Sequence, residues 1–198
     1  AGVALVFTPQ PKHIYPEGID AHTKVSVPGL TTVLCGASRP GHFDGVTSVV
    51  CRLFNLVAPK VAVFGEKDLQ QLLIIKKMVH DLALPVAIEG VATARASDGL
   101  ALSSRNGYLT PEERAIAPGL RQTLTAMGAA ISAGERNYNA LCQAHSAHLK
   151  SQGFNPDYLE IRCRATLALA DANTHQLAIF AAAKLGSTRL IDNLQLDL

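Results

Sequence analysis

The segment from Val61 to Val91 constrains the fold more than any other part of the sequence. Val61 to Phe64 is a continuous apolar run stopped by Gly65, the pattern of a strand buried on both faces. Asp68 then opens a helix with Leu72, Ile75, Val79 and Leu82 on one stripe. Pro85 to Val91 reads as the next strand. A strand, a helix and a second strand joined by short turns make a right-handed βαβ unit, which implies a parallel sheet. Upstream, Val46, Val49, Val50, Leu53, Phe54 and Val57 fall on one helical face, and Ala58-Pro59 ends that helix. Ala4 to Phe7, closed by Pro9, and Lys24 to Val27, closed by Pro28-Gly29, read as two more short strands.

The texture changes after Thr93. Ala94 to Arg105 is rich in Ser, Asp, Gly and Ala and reads as a loop or linker. Thr110-Pro111-Glu112-Glu113 announces a helix, because Thr110 can cap it, Pro111 suits its first turn and Glu113 completes a capping box. That helical region runs to about Ala133 with a kink at Pro118-Gly119, and another helix spans Asn139 to Lys150. Three strand-like runs follow, at Tyr158 to Arg162, Gln176 to Ala181 and Ser187 to Ile191. The expected fold is therefore α/β: a parallel-sheet domain over residues 1–93, then a smaller α+β domain over 94–198.

Bulk properties exclude several classes of function. With 48% hydrophobic and 17% charged residues among 198, a packed core is feasible and disorder is not expected. A net charge of +2 gives no reason to invoke nucleic acid or a membrane surface. No apolar run nears the roughly 20 residues a membrane helix needs. Cys35, Cys51, Cys142 and Cys163 are scattered, as in an ordinary cytoplasmic protein.

Ligands of open parallel sheets bind at the carboxyl ends of strands. Phe64-Gly65-Glu66-Lys67-Asp68-Leu69-Gln70-Gln71 lies at such an end. Gly65 permits a sharp turn and close approach, Lys67 offers a cation to a phosphate, Asp68 can accept from ribose hydroxyls, and Gln71 points the same way one helical turn on. The competing reading makes Asp68 and Gln71 a helix cap and Lys67 a solvated charge. Asp98 to Asn106 supplies Ser103, Ser104, Arg105 and Asn106, donors suited to an anion, and equally a polar linker. Arg39 to Val46, with His42, precedes a helix and reads as a turn capped by Asp44 or as a second approach to a ligand. His145 and His148 have helical spacing that can serve a metal, but no third ligand is placed and they read as surface histidines.

These segments occur together, in this order, in the pantothenate synthetases. Phe64 to Gln71 resembles that family's F-G-E-K-D-x-Q-Q signature, and Asp98 to Asn106 its D-G-L-A-x-S-S-R-N signature. Gly36 to Phe43 resembles its G-x-x-R-P-G-H-F segment, and Arg189-Leu190-Ile191-Asp192-Asn193 its R-L-I-D-N run. The resemblance implies a Rossmann-like nucleotidyltransferase domain and a C-terminal domain that closes over it as a lid. It implies an ATP-dependent ligase that joins pantoate to β-alanine through a pantoyl adenylate, with Mg2+ accompanying the triphosphate, in a cytoplasmic homodimer.

By position, Lys67 resembles the lysine on the ATP phosphates, Gly65 and Asp68 residues at the adenosine, and Gln71 a glutamine that binds pantoate. Ser103, Ser104 and Arg105 resemble the second phosphate-binding motif, and Arg39 falls in a substrate-binding segment. Ala94 stands where the family often has valine near the adenine, Leu102 where methionine is common, and Leu69 where an aromatic is common.

The family's M-G-x-L-H-x-G-H motif, whose histidines bind the triphosphate, has no counterpart here. The expectation is an N-terminally truncated chain with an incomplete parallel sheet, which by itself neither turns over nor binds ATP tightly. The alternatives are a non-catalytic oligomerisation or scaffold fragment, and a nucleotidyltransferase that makes no amide.

Overall fold

A computed structural model describes residues 2–198. Two short helices come first, α1 at Pro11–Ile14 and α2 at Cys35–Ser38, followed by α3 at His42–Val57. Gly41 starts α3 with φ 77°, a left-handed conformation that glycine adopts without penalty. Ala58 ends it, also left-handed, one residue before Pro59. Strand β1 (Val61–Gly65), helix α4 (Leu69–Asp81) and strand β2 (Ala87–Val91) follow, and β1 pairs with β2 in parallel from Val61↔Ala87 to Gly65↔Val91. The βαβ reading stands.

Three local expectations do not. Ala4 to Phe7 and Lys24 to Val27 form no strand. Each is too short to hold an extended conformation without a neighbouring strand, and among the described residues β1 and β2 pair only with each other. Nor is β1 buried on both faces. Ala62 and Phe64 turn inward while Val61 and Val63 stay more than half exposed, because the sheet is covered on one side only among the described residues. The apolar stripes also end early: Val57 and Leu82 are exposed.

In the second half, Thr110 and Glu113 make the expected capping box. The Thr110 hydroxyl accepts from Glu113 N at 3.2 Å, and Thr110 N donates to the Glu113 carboxylate at 2.9 Å. The helical region divides at Pro118 into α5 (Pro111–Ile116) and α6 (Gly119–Ser132), and α7 spans Tyr138–Ser151. An antiparallel sheet follows, β3 (Phe154–Cys163), β4 (Gln176–Leu185) and β5 (Thr188–Asp197), with β4 in the centre.

Strand β4 ties the molecule together. Its alternation sends Leu177, Ile179, Ala181 and Ala183 into a core with Leu124, Met127 and Ile131 of α6 and Leu149 of α7. Ala178 and Phe180, on the opposite face, join Phe43, Leu69, Leu72 and Ile75 in a second core. The antiparallel sheet is therefore a wall shared by two cores. Gly128 lets α6 lie close on this sheet, since a Cβ there would come within 2.5 Å of the Leu194 side chain.

Candidate active site

Strand β1 ends at Gly65, a 3-10 turn covers Glu66–Asp68, and α4 starts at Leu69. This turn opens onto a cleft of about 420 Å³ between the two cores. Arg39, His42, Lys67, Asp68, Gln71 and Arg105 line it, with Tyr158 and Arg189 on the opposite wall and Asn193 against the Lys67 backbone. A small crevice beside it is lined by Lys67, Ser103, Arg105 and Asn106. The three segments singled out in the sequence thus converge. Arg39, Lys67, Asp68, Gln71 and Arg105 meet in the cleft, and Ser103 stands beside it. Gly65 and Ser104 line neither space.

Several readings are corrected by these positions. Gly65 has φ −74° and ψ 133°, ordinary extended backbone, and a Cβ there would touch nothing within 4 Å. Its backbone does not require glycine for the turn. Asp68 makes no side-chain capping bond to α4, so the cap and its Gln71 partner are not formed. Asp44 does not cap α3 either; its carboxylate accepts from the Ser26 hydroxyl at 2.8 Å. The stretch from Ala94 to Arg105 is no loose linker. Arg95 bridges Ala101, and Ala96 N donates to Leu100 O at 2.9 Å. His148, by contrast, is exposed as read, and lies 3.1 Å from the Gln152 amide.

The paired glutamines divide their work. Gln70 is buried; its amide donates to Leu30 O at 2.9 Å and Val33 O at 2.8 Å and accepts from Cys35 N at 3.1 Å. It clamps the loop before α2 onto α4. Gln71, the next residue, faces the cleft. Ser103 caps the 3-10 turn Ser104–Tyr108 by accepting from Arg105 N at 3.2 Å, which fixes the direction in which Arg105 leaves the backbone.

The cleft is cationic. Lys67, Arg39, Arg105 and Arg189 all border it, and Lys67 has its neighbour Asp68 at 4.0 Å. The His42 ring lies 3.1 Å from the Arg39 guanidinium. Burial, and then Arg39, Arg105 and Arg189, lower its pKa from 6.5, so the ring is neutral at pH 7 and Nε2 is the acceptor.

The opposite wall was not foreseen as functional. A bulge in β3 leaves Asp157 without a register partner between Pro156 and Tyr158. Asp157 takes Arg189 at 2.7 Å and the Ser38 hydroxyl at 2.8 Å. Burial would raise the Asp157 pKa, but these hydrogen bonds outweigh it and the net direction is down. Arg189 also lies 5.7 Å from the centre of the Tyr158 ring, whose hydroxyl is 3.0 Å from Cys35 Sγ. Burial, then Cys35, pushes the Tyr158 pKa up, so it stays a neutral phenol. One sequence signal bore on this wall: charged and amide residues inside the strand run Arg189 to Asn193, where a buried strand ordinarily has none.

The family model for pantoate-beta-alanine ligase matches residues 1–195. A pantothenate synthetase from Shewanella baltica (strain OS185) is 55% identical over 197 residues, which are 100% of this chain and 70% of the relative. One from Pseudomonas fluorescens (strain Pf0-1) is 54% identical over 198 residues, 69% of its length. Among solved structures, a pantothenate synthetase from Thermus thermophilus superposes with a TM-score of 0.90 at 46% identity, over 98% of this chain and 70% of that one. A pantoate-beta-alanine ligase from Francisella tularensis, complexed with beta-gamma ATP and beta-alanine, aligns with a TM-score of 0.69 at 31% identity, over 92% of this chain and 61% of that one.

Proposed function

The chain belongs to the pantoate–β-alanine ligase family, and from that premise we propose how its residues carry out the ATP-dependent condensation of pantoate with β-alanine. The observation that carries the assignment of roles is the convergence of Lys67, Arg105 and Arg39 on one cleft that also holds Asp68 and Gln71.

In this reading Lys67 and Arg105 hold the phosphates of ATP, Ser103 adds a hydroxyl donor beside them, and Asp68 accepts from the ribose. Gln71 orients pantoate, and Arg39 draws its carboxylate toward the phosphates. The carboxylate oxygen attacks the α-phosphorus. The bond to the bridging oxygen of the β-phosphate breaks, and pyrophosphate leaves with pantoyl adenylate remaining. The β-alanine amine then attacks the acyl carbon, the bond from that carbon to the phosphate oxygen breaks, the amine gives up a proton, and AMP departs.

Positioning and charge stabilisation suffice for both steps, so no side chain needs to form a covalent bond. The neutral His42, held by Arg39, adds no positive charge of its own. The wall of β3 and β5 screens one side of the cleft from water, which protects a hydrolysable adenylate.

Mg2+ is part of the proposal. Among the described residues no group of three or more His, Cys, Asp or Glu forms a metal cage. That fits an ion that arrives with the triphosphate and takes its ligands from phosphate and water. Bound in this way, it would neutralise phosphate charge. We also propose a cytoplasmic homodimer. The four cysteines are free thiols, and no helix among the described residues is long and apolar enough to cross a membrane.

The test is β-alanine-dependent release of AMP from ATP and pantoate, run with the chain supplemented by a segment that carries the H-x-G-H motif. AMP formation that requires both substrates supports the ligase. Pyrophosphate release with neither AMP nor amide formed when β-alanine is present supports a plain nucleotidyltransferase. Self-association with no nucleotide effect on melting supports the scaffold alternative. The absent H-x-G-H motif leads us to expect weak ATP binding by these 198 residues alone.

A further inference from the structure

We propose that Asn193 of β5 is a positioning residue for the Lys67 turn, so that the antiparallel sheet sets the aim of the phosphate-binding cation. This rests on the reading of Lys67 as the group that meets the ATP phosphates.

Asn193 is buried, and its side-chain amide donates to two consecutive backbone carbonyls, Glu66 O at 2.8 Å and Lys67 O at 3.1 Å. Those carbonyls belong to the 3-10 turn that carries Lys67 out of β1. A turn of three residues makes few hydrogen bonds of its own, so two bonds from outside decide its orientation. The donor itself is held still. Asn193 N donates to the Asp192 carboxylate at 2.8 Å, and Asn193 O accepts from Arg121 at 3.2 Å. Asp192 in turn grips Arg95 with both oxygens, at 2.7 and 2.9 Å. The Lys67 backbone is thus pinned to β5 and, through β5, to the segment that leads into Ser103 and Arg105. Gln71 does not share this anchor, because its neighbour Gln70 fixes α4 to Leu30 and Val33 instead.

Loss of the Asn193 amide is therefore expected to disturb phosphate binding and leave pantoate binding alone. Asn193→Ala and Asn193→Ser, the latter too short to reach both carbonyls, are compared with Arg164→Ala. That control removes an exposed ion pair to Asp197, at the end of the same strand. Two readouts are taken: amide hydrogen exchange over residues 66–69, and dissociation constants for MgATP and for pantoate. In both Asn193 variants we expect exchange over 66–69 to quicken by about tenfold while β3 and β4 keep their protection, and the MgATP constant to rise by about tenfold with pantoate within twofold of the parent. The control is expected to change neither.

Unchanged exchange over 66–69 would overturn the proposal. So would an equal weakening of MgATP and pantoate, which signals general loosening. If Lys67→Ala leaves the MgATP constant of the parent chain unchanged, the functional reading of Lys67 fails, and the exchange measurement alone still decides whether Asn193 holds the turn.

Discussion

Replacing Arg95 with alanine strips the Asp192 carboxylate of both of its guanidinium hydrogen bonds, at 2.7 and 2.9 Å. The Asp192 side chain is 3% exposed, so water cannot take their place. Breaking a buried ion pair on one side typically costs ~3–5 kcal/mol, because the remaining charge stays desolvated. Two features lower that figure here. Asn193 N still donates to Asp192, and the Arg121 guanidinium lies close enough to sense both partners of the pair. We therefore expect Arg95→Ala to cost ~2–3 kcal/mol.

Urea unfolding at 25 °C measures it. With a slope of about 2 kcal/mol/M, the midpoint falls by roughly 1–1.5 M. The decisive comparison is the double variant Arg95→Ala/Asp192→Asn, which removes the orphaned charge but keeps an oxygen to accept from Asn193 N. It should be more stable than Arg95→Ala alone by ~1 kcal/mol or more. A double variant as unstable as the sum of its single changes would refute the argument, since the loss would then come from packing of the Arg95 stem rather than from a stranded charge.

Three further outcomes are expected. Lys67→Ala should raise the MgATP dissociation constant by about tenfold or more, with a smaller effect on pantoate, because a charged hydrogen bond to phosphate is lost; MgATP titration reads this. The His42 ring should titrate below 6.5 by NMR. Because its folded pKa lies below its unfolded one, the unfolded state takes the proton first, so stability falls as the pH drops through 6.5, and His42→Gln should flatten the urea midpoint between pH 7 and 5. Gly36→Ala should cost ~1–3 kcal/mol by thermal or urea unfolding, because the new Cβ meets the Thr31 carbonyl group, backbone that cannot swing aside.

Much of the fold was legible locally. The capping box at Thr110 and Glu113, the break at Pro118 and the helix end at Ala58 each depend on residues within a few positions of one another, and each formed as read. So did the βαβ unit, read from an apolar run, a helical stripe and a second strand-like run within one stretch. The strands expected at Ala4 to Phe7 and Lys24 to Val27 failed for the same reason in reverse. A strand is completed by a neighbour that its own residues do not specify. The competing reading of Asp68 and Gln71 as a helix cap did not form, although the spacing was right: Gln70 and the 3-10 turn already hold the start of α4. Of the site, the residues named from motifs gathered around the cleft with the exception of Gly65 and Ser104. Tyr158, Asp157 and Cys35 carried no motif, and their grouping is a product of the bulge in β3.

What the sequence determined by itself was chemistry and local geometry: which segments turn, cap and repeat, which cations and amides stand at a strand end, and, by resemblance, the family. These are encoded over a few residues, where backbone sterics and hydrogen-bonding groups act directly. Only the tertiary structure decided that the two faces of β4 feed two different cores, and that Asn193 reaches back across 126 positions to the Lys67 carbonyl. Contacts of that kind depend on how whole layers dock, which burial of apolar surface drives without regard to order along the chain.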